Sequence, residues 1–408
     1  MKVLHTSDWH IGKTLYGKKR YEEHAKFLEW LVKTIEEDNI DVLLIAGDVF
    51  DTLSPSNRAQ ELYYQFLHRI AASACRHVVV IGGNHDSASF LNAPRELLKV
   101  LNVHVIGSIT EHPEDEILLL KKLNGTPELI ICAVPFLRDR DIRLVDIGES
   151  IDDKDKKLKD AIIEHYKSVA LIAERIRIEN QNIPMIGMGH LFTAGGKTME
   201  GEGLRDLYVG SIAHISADLF PDCFDYLALG HLHVPQIVGG KDTFRYSGSP
   251  LPMGFGEATQ QKIVCIIELA NGCTSVEAKP VPLVQSLKTI KGDWSSIINI
   301  ISQLIQDGTS HWLEIEYTGS DIIGDLREKL EEETAGSNLE ILSIKNKHLS
   351  IPFLQRMVDG EVLPDLNEMD VFSRRLDAGQ ITEDQKKLLW LTYQESLAAL
   401  YYEKEEPG

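Results

Sequence analysis

Paired thiols are missing from this chain. Its 408 residues hold five cysteines, Cys75, Cys132, Cys223, Cys265 and Cys273, scattered, odd in number and never spaced C-x-x-C. That pattern argues against a disulfide framework and against a thiolate zinc site, leaving small buried hydrophobes as the expected role. Long apolar runs are missing too. None approaches the roughly 20 residues of a membrane helix, and Lys2 is the only charge before Leu4, so neither a membrane span nor a signal peptide is expected. The chain is expected to stay in the cytoplasm. Basic residues are the third shortage: 42 Lys and Arg stand against 62 Asp and Glu, a formal charge of -20. A chain of that sign repels nucleic acid unless a metal, a local basic patch or a basic partner intervenes. Internal repeats and low-complexity segments are also lacking.

What is present is an ordinary globular composition, 43% apolar and 25% charged, on a chain too long for one hydrophobic core. The first half alternates short apolar runs with polar loops and helical patterns. Strands are expected over Val3–His5, Val42–Ala46, His77–Ile81, Val103–Ile106, Leu129–Val134 and Met185–Met188. Between the first two, Leu28, Leu31, Val32 and Ile35 recur at helical spacing. This is an α/β layout. After DYLALGHLH (residues 225–233) the texture becomes closely spaced strands, FRYSGSP, KIVCIIEL and SVEAKPVPL, with antiparallel character expected at the sheet edges.

Pro280 and Pro282 mark a boundary. Residues 1–280 are expected to form the main domain and 281–348 a small α/β domain, with strands near 287–290, 311–317 and 339–344 and helices over 295–306 and 322–333. Residues 349–366 read as a linker and 367–408 as a helical tail. In that tail Thr382 and Gln385 fit a capping box, and Leu388, Leu389, Leu391, Leu397 and Leu400 form an apolar face.

The chemistry gathers where strands end. SDWH places Asp8 and His10 two apart; AGDVFD places Asp48 after Gly47; GGNHDS brings Asn84 and His85; GMGH ends on His190; GHLH carries His231 and His233. Ligands of open α/β sheets bind at the carboxyl ends of strands, where loops converge on a rigid frame. Each residue alone is satisfied by a structural role, such as a turn cap or a core histidine. Seven potential ligands following five strand ends in order are not. Carboxylate, amide and imidazole without thiolate suit divalent manganese, iron or zinc in a reactive site. Seven donors are too many for one ion and about right for two sharing Asp48, an arrangement suited to phosphoryl chemistry. His85 follows Asn84 directly and is expected to give a proton to a leaving oxygen; merely orienting Asn84 is the alternative. If extended backbone continues through Leu232, His231 and His233 share one face and each takes a different ion.

The ordered set D-x-H, G-D, G-N-H-D, G-H and G-H-x-H resembles the calcineurin-like metallophosphoesterases over roughly residues 1–280. Asp51-Thr52-Leu53 after the bridging aspartate departs from the phosphoprotein phosphatase run, and Asp51 replaces the tyrosine of purple acid phosphatases. HTSDWHIG, HLFTAGG, YSGSP and the tail stretch DVFSRRL are instead similar to the SbcD family of bacterial nuclease subunits. The resemblance implies an αββα sandwich of two mixed sheets, with a small α/β capping domain and a C-terminal helical tail. It implies one manganese ion on Asp8, His10, Asp48 and His233, a second on Asp48, Asn84, His190 and His231, and His85 as the catalytic histidine. It further implies exonuclease action on double-stranded DNA ends and endonuclease action on hairpins, in repair and recombination. The tail helices would bind SbcC, an SMC-like ATPase, in a heterotetramer built on a homodimer. Two readings compete: a small-substrate nucleotide or cyclic-nucleotide phosphodiesterase, which needs neither the extra domain nor the tail, and a non-catalytic scaffold, which has no reason to keep a complete ligand set.

Overall fold

The computed structural model describes residues 1–142, 150–193, 220–270, 272–321 and 323–346. Beyond these it describes only Phe372, Leu376, Gln385, Lys386, Leu389, Trp390, Thr392 and Tyr393. The contacts divide the chain into two compact units, Met1–Lys288 and Thr289–Gly408.

The first unit is built on two six-stranded sheets. One runs Cys273–Pro280, Ile263–Ala270, Lys2–Thr6, Val42–Ala46, His77–Ile81, Val103–Ile106 from edge to edge. Its last four strands are mutually parallel, and Ile263–Ala270 joins antiparallel on both sides. The other runs Gln236–Val238, Lys241–Tyr246, Tyr226–Gly230, Met185–His190, Pro127–Ala133, Ile117–Lys121, with four parallel central strands and an antiparallel strand at each edge. Both are mixed sheets, as the α/β sandwich requires. The strands expected over Val42–Ala46, His77–Ile81 and Val103–Ile106 have those bounds.

Three apolar layers hold this unit. Val3, Leu44, Val79 and Ile267 of the first sheet meet Leu129, Ile131, Ile186, Met188 and Ala228 of the second, so the two sheets pack face to face. Because both sheets bury both faces, their central strands read as continuous apolar runs rather than alternations. Leu28, Leu31, Val32 and Ile35 of the helix Tyr21–Glu37 cover the outer face of the first sheet, beside Tyr63, Phe66 and Ile70 of the helix Asn57–Ala71. Ser56 caps the latter by accepting from the amide of Ala59 at 3.2 Å. The outer face of the second sheet is covered by Ile162, Tyr166, Val169 and Ala173 of the helix Ile151–Glu179. That helix was not singled out in the sequence, although its stripe has helical spacing, because charge crowds its first two turns.

A three-stranded sheet follows, Ser286–Gly292, His311–Tyr317 and Leu339–Asn346, whose first strand begins in the last residues of the first unit, with helices Trp294–Gln306 and Leu326–Thr334 in the second. Ile297, Ile301 and Leu304 of the first helix pack with Leu313, Ile315 and Leu330. The second helix begins at Leu326, later than the expected 322, because Asp325 stands in the left-handed region at φ +54° and starts the helix there. In the tail, the Phe372 ring stacks on Tyr393 at 3.8 Å. The linker 349–366, the capping-box residues 382–384 and most of the apolar tail face lie outside the described residues.

Of the cysteines, Cys75, Cys132 and Cys265 are buried as expected. Cys273 is exposed and corrects that expectation: it pairs with Ala270 where the hairpin between Ile263–Ala270 and Cys273–Pro280 turns, and no core lies there.

Candidate metal centre

The loops after two parallel strands of the first sheet, Lys2–Thr6 and Val42–Ala46, are laced by backbone bonds. The amides of Asp8 and His10 donate to the carbonyls of Gly47 and Asp48, each at 3.0 Å. Asp8, His10 and Asp48 stand at φ +52°, +48° and +49°, a region costly for non-glycine residues and concentrated at working sites. Gly47, at φ +87°, lies against the His190 ring so closely that a Cβ would overlap Nδ1. At Gly230 a Cβ would overlap the carbonyl oxygen of Ala46. The two sheets therefore touch, backbone to backbone, at the carboxyl ends of their strands.

All seven predicted ligands are brought to this contact. His10 Nε2 lies 3.2 Å from His233 Nε2 and 3.6 Å from Asp48 Oδ2. Asp48 Oδ2 is also 3.3 Å from His190 Nε2. Asn84 Oδ1 is 3.0 Å from both His190 Nε2 and His231 Nδ1. Asp8, His10 and His233 offer donor atoms within 4.8 Å of one another, as do Asp8, Asp48 and His190. The Asp8 carboxylate additionally accepts from the amide of His231 at 2.9 Å, tying the sheets together.

One expectation is corrected. The strand Tyr226–Gly230 ends before the two histidines, and His231 turns at φ +103° rather than continuing extended. Leu232 is fully buried in the outer core of the second sheet. His231 and His233 reach different partners through this turn, because Gly230 is pressed against Ala46 and the chain has no room to run on straight.

Burial dominates the charge states. It pushes His10 down to about 4 and His231 down to about 3, so both stay neutral donors near neutral pH. It raises Asp8. Burial acts upward on Asp48 as well, but the facing His190 and His10 outweigh it and hold the carboxyl well below the usual range. The same attraction lifts His190 to about 9 against the downward pull of burial. His190 Nδ1 donates to the carbonyl of Ala46 at 2.9 Å, which leaves Nε2 turned to the cluster.

This donor set fits divalent metal. Bonds of about 2.1 Å at tetrahedral or octahedral angles set neighbouring donors about 3.0 to 3.4 Å apart, and the cluster spans 3.0 to 3.6 Å. In the metal-free protein His190, lifted to about 9, supplies positive charge among these atoms, a part that a divalent ion would take over. Asp48 Oδ2 faces both His10 and His190, and Asp8 belongs to both groups of donors.

His85 sits beside this cluster, half-buried, its ring 4.8 Å from that of His10. Its amide donates to Asp48 Oδ1 at 2.9 Å, and its Nδ1 lies 3.0 Å from the Asp51 carbonyl.

Sequence reasoning passed over several residues. Asp86, fully buried, accepts from the amides of Val49, Phe50 and Gly83 at 3.1, 3.0 and 2.9 Å and so clamps the Asp48 loop to the Asn84 loop. Burial raises it to about 6 against these bonds. Its signal was its place directly after Asn84-His85. Glu257 and Lys262 carried none, being single charges in a loop 24 or more positions beyond His233.

The chain matches the calcineurin-like phosphoesterase family over residues 1–235 and the family described as type 5 capsule protein repressor C-terminal domain over residues 284–379. It is 36% identical over 408 residues to the SbcD chain of the SbcCD nuclease of Escherichia coli (strain K12), covering 99% of this chain and 100% of that one. The SbcD chain of Rhodobacter capsulatus is 36% identical over 297 residues, 70% of this chain and 71% of its own. That of Bacillus subtilis (strain 168) is 34% identical over 279 residues, 67% of each chain.

Proposed function

Since the chain belongs to the calcineurin-like phosphoesterases and, within them, to the SbcD family of SbcCD nuclease chains, we propose that it is a metal-dependent nuclease that cuts DNA together with the SbcC ATPase. The single observation that supports this reading is the convergence of Asp8, His10, Asp48, Asn84, His190, His231 and His233 at the contact of the two sheets, with donor spacings that suit divalent ions. Asp8, His10, Asp48 and His233 would hold one, and Asp48, Asn84, His190 and His231 the other, with manganese the ion of choice for a thiolate-free mixed set. Two divalent ions, when bound, supply the charge that makes water a nucleophile at neutral pH and offsets charge building on the phosphoryl group.

The chain's own residues do the rest. Asp48 sets the spacing of the two donor groups. His85, in its protonated form, keeps Nδ1–H on the Asp51 carbonyl and presents Nε2–H to the cleft, where that proton passes to the departing oxygen as the O–P bond breaks. Asp8 and Asp86 hold the loops so that these atoms need not reorganise.

We assign the exonuclease action to double-stranded ends, the endonuclease action to hairpins, and the residues beyond 366 to SbcC binding in a heterotetramer. We place this work on DNA in the cytoplasm; no described helix is long and apolar enough to cross a membrane. The test is an assay on end-labelled duplex and hairpin DNA with Mn2+ against Mg2+, with and without SbcC. Metal-dependent cutting is expected. Turnover of a small diester with no cutting of either DNA would replace this reading with that of a small-substrate phosphodiesterase.

A further inference from the structure

The Nε2 atoms of His10 and His233 face each other at 3.2 Å, and behind each ring stands a carboxylate. His10 Nδ1 lies 3.2 Å from Asp51 Oδ1 and His233 Nδ1 lies 3.7 Å from Glu257 Oε1; neither pair is aligned as a hydrogen bond, and each carboxylate acts on its ring through charge. Each carboxylate is in turn held by a lysine, Asp51 by Lys13 at 3.2 Å and Glu257 by Lys262. Lys262 also donates to the His233 carbonyl at 3.1 Å and to Ser249 Oγ at 3.2 Å, and the Met253 amide donates to Glu257 Oε2 at 3.0 Å. Glu257 is fully buried. A buried glutamate and lysine wrapped around one histidine are an expensive arrangement for fold stability alone, since apolar residues fill such space at least as well.

The other side of the cluster is built differently. His190 Nδ1 is held by a neutral carbonyl, that of Ala46. Carboxylate backing therefore distinguishes the two histidines that would serve the first ion from His190, which would serve the second beside His231, whose Nδ1 faces Asn84 Oδ1.

Resting on the two-ion reading above, we propose that Asp51 and Glu257 are paired positioning residues that hold His10 and His233 in the Nδ1–H tautomer, so that both Nε2 lone pairs converge on one divalent ion. A carboxylate beside Nδ1 favours the proton on that nitrogen and so makes Nε2 of each imidazole a stronger donor. The consequence is selective: loss of either carboxylate weakens the ion on the Asp8, His10, Asp48 and His233 side and leaves its neighbour.

Mn2+ titration by calorimetry, on the full chain, tests this with Asp51→Asn and Glu257→Gln. Glu116→Gln serves as the control, because Glu116 is an equally buried glutamate paired with His165 at 2.8 Å away from the site. Each site variant is expected to weaken one of two binding events about 10- to 100-fold and leave the other, with thermal unfolding of the metal-free protein lowered no more than in the control. Unchanged binding of both ions overturns the proposal, and so does equal weakening of both in step with lost stability, which is the mark of a structural role. Wild-type protein that takes up no Mn2+ would instead sink the two-ion reading, and this proposal with it.

Discussion

The two sheets contribute unlike chemistry to the site. From the loops of the first come both carboxylates, the amide and His10, with three of these residues in the left-handed region. From the second come only imidazoles, His190, His231 and His233. Negative charge is thus confined to one layer, while the other offers imidazoles alone. Each half is a poor site: the first lacks enough donors, the second lacks charge to attract a cation. The difference teaches that the site is a property of the sheet packing, secured by Gly230 against Ala46 and by Asp8 on the His231 amide.

Breaking the shared member should have the largest effect. Asp48→Ala removes the carboxylate that faces His10 and His190 at once, and is expected to lower cutting by more than about 10^3-fold and to weaken both Mn2+ binding events. Retention of two ions with wild-type affinity would show that the halves do not depend on it.

Next comes a residue of the first sheet that donates a proton rather than holding metal. His85→Gln is expected to slow cutting about 10^2- to 10^4-fold while Mn2+ titration remains as in wild type. Loss of an ion in this variant would move His85 into the ligand set.

Acid probes both sheets together. His5 and His10 in the first and His231 in the second are pushed by burial down to about 3, 4 and 3, whereas in the unfolded chain they take a proton near pH 6.5. Their neutral, folded state therefore contributes stability that is full above about pH 6.5 and drains away as pH falls toward 4 to 3. His190, lifted to about 9, acts with the opposite sign, its contribution being full below pH 6.5 and lost above 9. His24 and His104, also lowered by burial, add to the first set, and Asp8 and Asp86, raised by burial, add to the second; five groups against three give a net loss on acidification, read as a falling urea midpoint of the metal-free protein between pH 7 and 4.5. A flat midpoint would refute it.

The smallest change tests the contact itself. Gly230→Ala forces a Cβ onto the Ala46 carbonyl and is expected to cost about 1 to 3 kcal/mol of stability, measured by urea unfolding. A neutral result would mean that the sheets have slack where they touch.

Much of this was readable from residues. Continuous apolar runs such as Val42–Ala46 announced doubly buried strands, and the polar residues closing them announced the site, because a strand end that binds a ligand cannot close with an apolar turn. What resisted reading was whatever depends on distant partners. Asp86 looks like any turn aspartate until three amides are seen to point at it. Glu257 becomes meaningful only through His233 and Lys262. The pair in DYLALGHLH was expected to be extended, since period-two spacing is the simplest way to share a face; the turn at His231 is forced by a backbone from another sheet.

By itself the sequence determined which residue types stand at which strand ends, and so the class of ion and the chemistry they suit. Only the tertiary structure decided which donors meet. Local patterning sets how a strand ends, whereas the 3.0 to 3.6 Å spacing across the site arises from two sheets pressed together, a contact whose partners lie up to 223 positions apart.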